Sequence, residues 1–415
     1  MYLKYLFKEK KDFSFIALGI FSEFLYLGLL FLGNLREKIS EFLILSSLLF
    51  LIYFLLIYRF KTSKLKLILG FALLFRLTLL FQTPTLSEDI YRYLWDGRVA
   101  GSHMNPYAYP PSSEELLSLR DENWEYINHK DVGTPYPPFS ELTFFLLYLI
   151  SPTIFGFKLA FILLDFGCIF LVLRILKVMS LSQARVAIYA LNPLSIIEIS
   201  GSGHMESLPI FFMLLSFHLY LLRREFSSTV SLALSTLSKF YSLLFLPFLL
   251  RKNLKVLIPF SLALTRLYLF FFNQNMFEGI STYLKTWRFN PSLFRILEHL
   301  FGWGIAKYTV YLIISISLFV LRREDYIKGS FTILEVYLIL TPALHPWYLL
   351  WILPFLSLYE SKAFLTLSFT VLFSYSFYIG MREIWWFLVL EYLPFYLLLT
   401  YELRNIRFLS LHRKK

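Results

Sequence analysis

The sequence predicts an all-α polytopic membrane protein, and three observations support this fold class. The chain of 415 residues is 57% hydrophobic, and its mean hydropathy is +0.61. Charged residues make up only 16% of it, whereas soluble proteins contain about 25%. Apolar runs of membrane-spanning length recur from end to end. We therefore expect one membrane domain over residues 1–415, with about 12–14 transmembrane helices.

The apolar segments are separated by short polar turns, with one exception. The predicted segments are 13–32, 41–58, 65–81, 139–153, 157–173, 186–200, 205–222, 229–240, 241–250, 255–272, 305–321, 331–344, 347–359, 363–379 and 384–402. Several are shorter than the about 20 residues of a spanning helix, which indicates broken or tilted helices near a buried site. The exception is a long polar loop over residues 82–138, which we expect to carry short interfacial helices.

The positive charge of the chain indicates its orientation rather than a nucleic-acid partner. The formal net charge is +12, and Lys and Arg favour the cytoplasmic side of a membrane. No basic soluble segment suggests nucleic-acid binding. The long loop, with nine acidic and four basic residues, is then extracytoplasmic, provided that residues 139–173 make one net crossing. The basic clusters that mark the cytoplasmic side are Lys4–Lys11, Arg59–Lys66, Arg174–Arg185, Arg223-Arg224, Arg251–Lys255, Arg322–Lys328 and Arg404–Lys415.

Two adjacent carboxylates, Glu88 and Asp89, stand near the start of the long loop. A carboxylate there can take a proton from a hydroxyl nucleophile, or ligate a divalent cation such as Mg²⁺ or Mn²⁺. The structural alternative is a helix cap, because Ser87–Asp89 precedes a helical pattern and Asp commonly caps helices. The spacing alone leaves both interpretations open.

A helix is predicted from Asp89 through Asp96. Arg92 and Asp96 lie three and seven residues after Asp89, so all three share a helix face. The structural alternative for Arg92 and Asp96 is a solvated face with pairing four residues apart. Asn105-Pro106-Tyr107 and Pro135–Pro138 are turn formers, which favours a role in loop architecture.

Three more polar turns, over residues 201–206, 283–290 and 341–348, fall on the same side of the membrane as the long loop. The first contains His204 and Glu206 after two glycines, which let backbone approach a ligand closely. The third contains His345. Single histidines are more often structural. His103, His204 and His345 could together form a metal site, but their spacing in the sequence does not match a known metal-binding pattern. All eight tryptophans map to this side, either as an interface belt or as rings for stacking on sugars.

Lys239 lies between two short apolar segments, and Arg288 lies in the turn over residues 283–290. Both suit a lipid phosphate, because a leaving phosphate needs cationic stabilisation. The structural alternative for Lys239 is snorkelling to the interface. Further ionisable residues within or at the edges of apolar segments are functional candidates as well, or pair inside the bundle. They are Glu23, Arg76, Asp165, Glu198, Arg266 and Glu335.

Ordered motifs along residues 65–360 resemble the GT-C class of membrane glycosyltransferases. They are SEDIYRYLWDGR, NPY, TPYPP, NPLSIIEISGSGH, STLSKFY, YLKTWRFN and HPWYLLW. Within this class the resemblance is to bacterial polyprenyl-phosphate-sugar mannosyltransferases, which are related to the enzyme that adds the first mannose of GPI anchors. The resemblance implies a GT-C-type helical bundle in a bacterial or archaeal plasma membrane.

The resemblance also implies a mechanism with no nucleotide sugar. The donor is a hexose, most simply mannose, on polyprenyl phosphate, and the acceptor is a hydroxyl of a glycan, lipid or protein. An acidic residue of the first outer loop acts as general base, the anomeric carbon is inverted, and polyprenyl phosphate leaves. Asp89 matches the base and Glu88 a supporting or metal-binding residue. The family often has Asp-x-Asp here, so the choice between Glu88 and Asp89 stays open.

Substrate contacts are expected for further residues in or next to these motifs. They are Arg92, Asp96, Arg98, His103, Asn105, Tyr107, Tyr136, His204, Glu206, Lys239, Tyr241, Trp287, Arg288, Asn290, His345 and Trp347.

Two other functions compete with this interpretation. A transporter or flippase of lipid-linked sugars would suit buried charges and broken helices, but the sequence has no visible inverted repeat and the long loop would be unexplained. A surface-glycan polymerase or ligase would use a diphosphate-linked donor instead. The chain has no Walker A loop, GxSxG elbow or HExxH helix, so the usual signatures of ATP-driven transport, serine hydrolysis and zincin chemistry are missing.

Overall fold

The computed structural model of the chain describes residues 2–59, 62, 64–251 and 253–412. The structure is 76% helical, and its described part contains no β-strand, although Phe289 and Ala343 form an isolated β-bridge. The predicted fold class, an all-α polytopic membrane protein, is confirmed.

The α-helices are numbered in chain order. They are α1 Tyr2–Leu32, α2 Ile39–Phe54, α3 Leu65–Leu80, α4 Asp89–Gly101, α5 Pro138–Ile150, α6 Ile154–Val178, α7 Ala187–Ala190, α8 Pro193–Ser195, α9 Ser207–Leu221, α10 Glu225–Ser238, α11 Leu246–Leu250, α12 Leu257–Phe270, α13 Glu278–Thr286, α14 Leu293–Leu321, α15 Tyr326–Leu340, α16 Leu353–Leu356, α17 Lys362–Thr370 and α18 Trp385–His412.

Shorter 3-10 and π turns complete the helical structure. The 3-10 turns are Glu114–Leu119, Glu122–Tyr126, Gln183–Val186, Phe240–Phe245, Leu254–Val256, Pro346–Trp351 and Val371–Tyr378, and the π turns are Leu55–Arg59 and Ile196–Gly201. The two 3-10 turns at Glu114 and Glu122 lie in the long loop.

Five helices in the described part of the chain are long and apolar enough to cross a membrane. They are Asp12–Leu32, Ile39–Arg59, Ile154–Val178, Leu293–Leu321 and Trp385–Asn405. Most other predicted apolar segments form shorter helices, so the count of 12–14 crossings stays a prediction. Of the two segments in 139–173, α6 has 25 residues and α5 only 13. At 1.5 Å per residue, α5 is about 20 Å long, so length favours α6 as the crossing.

One of the short predicted segments, 186–200, is a broken helix. After α7, the side chain of Asn192 accepts a hydrogen bond from the Leu194 N–H at 2.9 Å, and Pro193 occupies the first position of α8. This cap starts a new short helix, as Asn followed by Pro often does. The segment then widens into the π turn Ile196–Gly201.

The chain folds into two compact units. The first contains Met1–Leu86, Met179–Gly201 and His345–Lys415, and the second contains Ser87–Val178 and Ser202–Leu344. In the first unit α1 packs against α2 and α3, and α17 packs against α18. Arg76, which is fully buried, donates hydrogen bonds to the carbonyls of Ala72 and Ala190 at 3.0 and 2.7 Å. Two backbone carbonyls thus accept hydrogen bonds from the buried guanidinium of Arg76.

The second unit is built around α4–α6 and α9–α15. Helix α4 packs on α5, α6 on α9, α9 on α10, and α10 on α12. A Cβ atom on Gly97 of α4 would lie 2.5 Å from the Phe144 carbonyl oxygen of α5, so the glycine permits close backbone contact. Five of these helices, α5, α9, α10, α12 and α15, have only 13 to 15 residues. The candidate site lies in this unit.

Candidate active site

Helix α4 begins at Asp89, as predicted, and the residue at its N-cap position is Glu88. The Asp89 N–H donates to the Ser87 hydroxyl at 3.2 Å, whereas Glu88 makes no side-chain capping bond. The helix start predicted at Ser87–Asp89 is therefore present, but the Glu88 side chain does not cap it. Both carboxylates remain near the positive end of the helix dipole, where a negative charge is stabilised.

Asp89 faces His204. The Oδ2 atom of Asp89 lies 3.8 Å from Nε2 of His204, and the Asp89 side chain is 22% exposed while the His204 side chain is completely buried. A carboxylate that is partly exposed and backed by a buried imidazole can meet a substrate on one side. This pairing was not predictable from spacing, since the two residues are more than a hundred positions apart.

Gly203 makes this approach possible. Its φ of +75° is in the left-handed region that favours glycine. A Cβ atom here would lie 2.3 Å from Ile90 Cδ1 and 3.0 Å from Lys158 Cγ. The turn that carries His204 and Glu206 can therefore pack directly on α4 and α6 only because residue 203 has no side chain.

Glu206 and Lys239 form an ion pair beside this contact. Oε1 of Glu206 accepts from Nζ of Lys239. Glu206 is completely buried, and its other oxygen has no hydrogen-bond partner among the described residues. Lys239 stands at the end of α10, where the backbone becomes extended, and its side chain is 18% exposed. Because a buried carboxylate needs a cation close by, Glu206 holds Lys239 at the site.

The electrostatic surroundings raise the pKa of Asp89 above its ordinary value. Burial is the largest cause, since it disfavours the charged form. His204 and Lys239 act in the opposite direction, and Glu206 and Glu88 add to the increase. A carboxylate with a raised pKa accepts a proton from a hydroxyl more readily.

Tyr136 belongs to the same group of charges. Burial raises the pKa of its hydroxyl well above the usual value, and the negative charge of Asp89 adds to the increase. Tyr136 therefore keeps its proton at neutral pH and can donate a hydrogen bond. Its ring packs edge-on against Tyr93, with centroids 5.2 Å apart.

Comparison with known proteins bears on what this site does. Residues 23–253 match the family described as alpha-(1->6)-mannopyranosyltransferase, N-terminal domain. The match covers more than half of the chain and includes Asp89, His204, Glu206 and Lys239. The chain belongs to this family. The protein is therefore a mannosyltransferase of the GT-C class, and the predicted class of enzyme is confirmed. Searches of curated proteins and of solved structures give no match.

In the mannosyltransferase, Arg92 and Asp96 form a buried pair rather than a solvated one. Nε of Arg92 donates to both Asp96 oxygens at 2.9 and 3.0 Å, and the two side chains are only 6% and 2% exposed. The predicted pairing is confirmed, and the solvated face is wrong, because the long loop covers this side of α4. Nη1 of Arg92 donates to the carbonyl of Val132 at 3.0 Å, which ties the end of the loop to α4.

Three other predicted residues hold the loop together. Arg98 donates to the Leu119 carbonyl at 2.9 Å and pairs with Asp121. The amide of Asn105 donates to the Phe271 carbonyl at 2.9 Å. The Tyr107 hydroxyl donates to the Tyr136 carbonyl at 2.7 Å. These contacts agree with the architectural role that the turn formers suggested, and the Tyr107 contact positions Tyr136.

Four further predicted residues lie in the second unit. Tyr241 is buried and lies among the charges around Glu206. Trp287 packs against His129 with ring centroids 4.4 Å apart. Arg288 pairs with Glu298 at 3.0 Å and lies over the Trp303 ring. His103 is exposed at the end of α4 with φ +60°.

Three predicted residues remain. His345 and Trp347 lie next to and in the 3-10 turn at Pro346, and Asn290 lies elsewhere. The amide of Asn290 donates to the Leu344 carbonyl at 3.5 Å in the second unit. His345 and Trp347, in the first unit, stack with ring centroids 4.4 Å apart. Trp347 is 8% exposed.

Sequence reasoning missed two buried ionisable residues of this unit. Glu141 of α5 is completely buried and accepts a hydrogen bond from Thr134 at 2.7 Å. Lys158 of α6 is 1% exposed and lies beside Gly203. A signal existed for both, because each interrupts an apolar helix, where ionisable groups are costly and are functional candidates.

The sequence also suggested a divalent cation at Glu88 and Asp89. No group of three or more His, Cys, Asp or Glu side chains in the described ranges is arranged to hold a metal ion. One or two carboxylates together with substrate phosphate oxygens are enough to hold Mg²⁺, so a divalent cation at Glu88 and Asp89 stays a prediction.

Proposed function

We propose that the mannosyltransferase moves mannose from a polyprenyl-phosphate donor to a hydroxyl of a mannose-containing glycan, on the extracytoplasmic side of the membrane. The observation that carries the proposal is the contact between Asp89 and His204 beside the Glu206–Lys239 pair. It combines a base of raised pKa with a partly exposed cation, which are the two groups that such a transfer needs.

Asp89 is the general base in this proposal. It takes the proton of the acceptor hydroxyl as the oxygen attacks the anomeric carbon of mannose. The bond between that carbon and the phosphate oxygen breaks, and its electron pair leaves with the phosphate. The family description names an α-(1→6) linkage, which supports a 6-hydroxyl as the attacking group. In this proposal that hydroxyl belongs to a mannose of the acceptor glycan. Since the attack inverts the anomeric carbon, an α product requires a β-linked donor.

His204 positions Asp89, and Lys239 stabilises the leaving phosphate. The imidazole of His204 is buried, so it acts on substrate only through the carboxylate. Lys239 is exposed enough to approach a phosphate oxygen, and the Tyr136 hydroxyl can donate a hydrogen bond to the same group. Charge that develops on the phosphate in the transition state is where such donors lower the barrier most.

A donor and variant assay tests the proposal. Purified protein in nanodiscs is incubated with polyprenyl-phosphate mannose and α-(1→6)-mannotetraose, and product is measured by mass spectrometry. We expect Asp89→Asn to lose at least about 100-fold in kcat, because proton abstraction is lost. Asp131→Asn, which changes an exposed carboxylate of the same loop, should keep wild-type activity.

Two results would overturn the proposal. One is full activity of Asp89→Asn with the same donor. The other is transfer by the wild type from a nucleotide sugar or a diphosphate-linked donor but not from the monophosphate-linked one. The same assay in sealed vesicles, with acceptor added either outside or inside, tests on which side of the membrane the transfer takes place.

A further inference from the structure

A surface of the long loop adjoins Asp89 and combines aromatic rings with polar side chains. It consists of Tyr91, Tyr126, Asn128 and Glu88, and is called the Tyr126 surface here. The rings of Tyr91 and Tyr126 stack with centroids 5.0 Å apart and planes at 26°. Tyr91 is buried, whereas Tyr126 is 59% exposed. An exposed ring supported by a buried one presents a flat apolar face to a ligand.

The polar part of this surface is formed by Asn128 and by Glu88, the residue before the proposed base Asp89. The amide of Asn128 donates to Oε2 of Glu88 at 3.5 Å. Glu88 and Asp89 are adjacent in the chain, but Asp89 faces His204 while Glu88 faces Asn128. A ligand held by Glu88 and Asn128 would therefore contact the residue that directly precedes the base Asp89.

The loop around Tyr126 is held in place by its neighbours. Ile127 is 4% exposed and anchors the segment, and its N–H donates to the Trp124 carbonyl at 3.1 Å. The Trp124 ring contacts the charged ends of Arg120 and Lys130, which lie 4.3 and 4.5 Å from its centroid. Its indole N–H donates to the Pro111 carbonyl at 3.0 Å. A surface fixed in this way loses little entropy when it binds a ligand.

A second aromatic contact borders the surface. His129 follows Asn128 and packs on Trp287, which lies just after α13. Gly279 of α13 allows this arrangement, since a Cβ atom there would lie 2.3 Å from the Gly133 carbonyl oxygen. The helix can thus pack on the backbone of the long loop and bring Trp287 beside residues 126–129.

We infer that the Tyr126 surface binds the acceptor sugar, with the pyranose ring over Tyr126 and its hydroxyls at Asn128 and Glu88. A pyranose has an apolar face of C–H bonds and a rim of hydroxyls, which match a ring beside an amide and a carboxylate. The inference rests on the proposed function and deepens it. Glu88 would hold a hydroxyl of the acceptor, while Asp89 would deprotonate the one that attacks.

Steady-state kinetics of Tyr126→Ala and Asn128→Ala test the inference. With polyprenyl-phosphate mannose at saturation and α-(1→6)-mannotetraose varied, we expect KM for the acceptor to rise by about tenfold, the effect of losing one aromatic contact. KM for the donor should not change. Tyr126→Phe keeps the stacked ring and should restore the wild-type KM. Tyr109→Ala, at a 38% exposed tyrosine of the same loop, is the matched control.

A binding measurement separates this inference from the proposed donor chemistry. Calorimetry with mannotetraose and the full-length protein in nanodiscs needs no donor. We expect Tyr126→Ala to weaken binding by about tenfold whether or not the monophosphate donor is correct. Equal affinity of wild type and Tyr126→Ala, or an unchanged acceptor KM in an active enzyme, would overturn the inference and leave the donor proposal standing.

Discussion

At the scale of single residues, the neighbours of Asp89 act on its pKa in opposite directions. Burial raises it, Glu206 and Glu88 raise it further, and His204 and Lys239 lower it. As a base, Asp89 works in its deprotonated form, so activity falls as the pH drops through its pKa. The pKa of Asp89 is raised, so the acid limb of the pH profile of kcat/KM should lie at a higher pH than the ordinary pKa range of Asp.

Substitution of the two ion-pair partners should move this limb in opposite directions. Glu206→Gln removes a charge that raises the pKa of Asp89, so the limb should move to lower pH. Lys239→Met removes a charge that lowers it, so the limb should move to higher pH, along with a fall in kcat. The pH profile of kcat/KM for acceptor measures both shifts.

Glu115→Gln is the control for this prediction, since Glu115 is an exposed carboxylate of the long loop. Its profile should coincide with that of the wild type. Shifts of the same sign in Glu206→Gln and Lys239→Met would mean that the limb reports a group other than Asp89.

At the scale of elements, the turn at Gly203 sets the distance between α4 and the residues that face it. The turn crosses α4 at Ile90 and α6 at Lys158 without space for a methyl group. His204 and Glu206 both follow within three residues. The position of two site residues therefore depends on one glycine.

Gly203→Ala should destabilise the protein by about 1–3 kcal/mol, because alanine is strained at positive φ and its methyl group would clash with Ile90. Activity should fall more than the folded fraction does, since the turn would move away from Asp89. Thermal unfolding in detergent, followed with activity on the same samples, measures both.

Gly304→Ala is the matched control, because Gly304 in α14 has open space where a Cβ atom would lie. It should be neutral or slightly stabilising, as alanine favours helix over glycine. If Gly203→Ala were equally stable and active, the turn would have more freedom than its contacts indicate.

At the scale of the whole molecule, hydropathy was enough to predict the fold class, and motif order was enough to predict the family. Helix α4 was predictable from the pattern after Ser87, and so was the pairing of Arg92 with Asp96. The contacts of Asp89 with His204 and of Glu206 with Lys239 were not predictable, because periodicity in the sequence relates only residues that are close along the chain. The Tyr126 surface was missed, since its loop has no regular pattern that indicates which side chains point outward.

The short helices of the second unit have a consequence for the membrane around it. Helices α9, α10, α12 and α15, with 14 or 15 residues, are about 21–23 Å long, against about 30 Å of hydrocarbon. Such hydrophobic mismatch is relieved by local thinning of the bilayer. Thinning would bring lipid phosphates closer to the depth of the site, so acyl-chain length should control access of the donor.

Specific activity should therefore be higher in phosphatidylcholine vesicles with 14-carbon chains than in those with 22-carbon chains. The Asp89→Asn protein serves as the blank in each lipid, and equal protein insertion is checked by flotation. Activity that is independent of chain length would show that the second unit does not deform the bilayer. If the dependence holds, the thickness of the host membrane acts as a regulator of glycan synthesis.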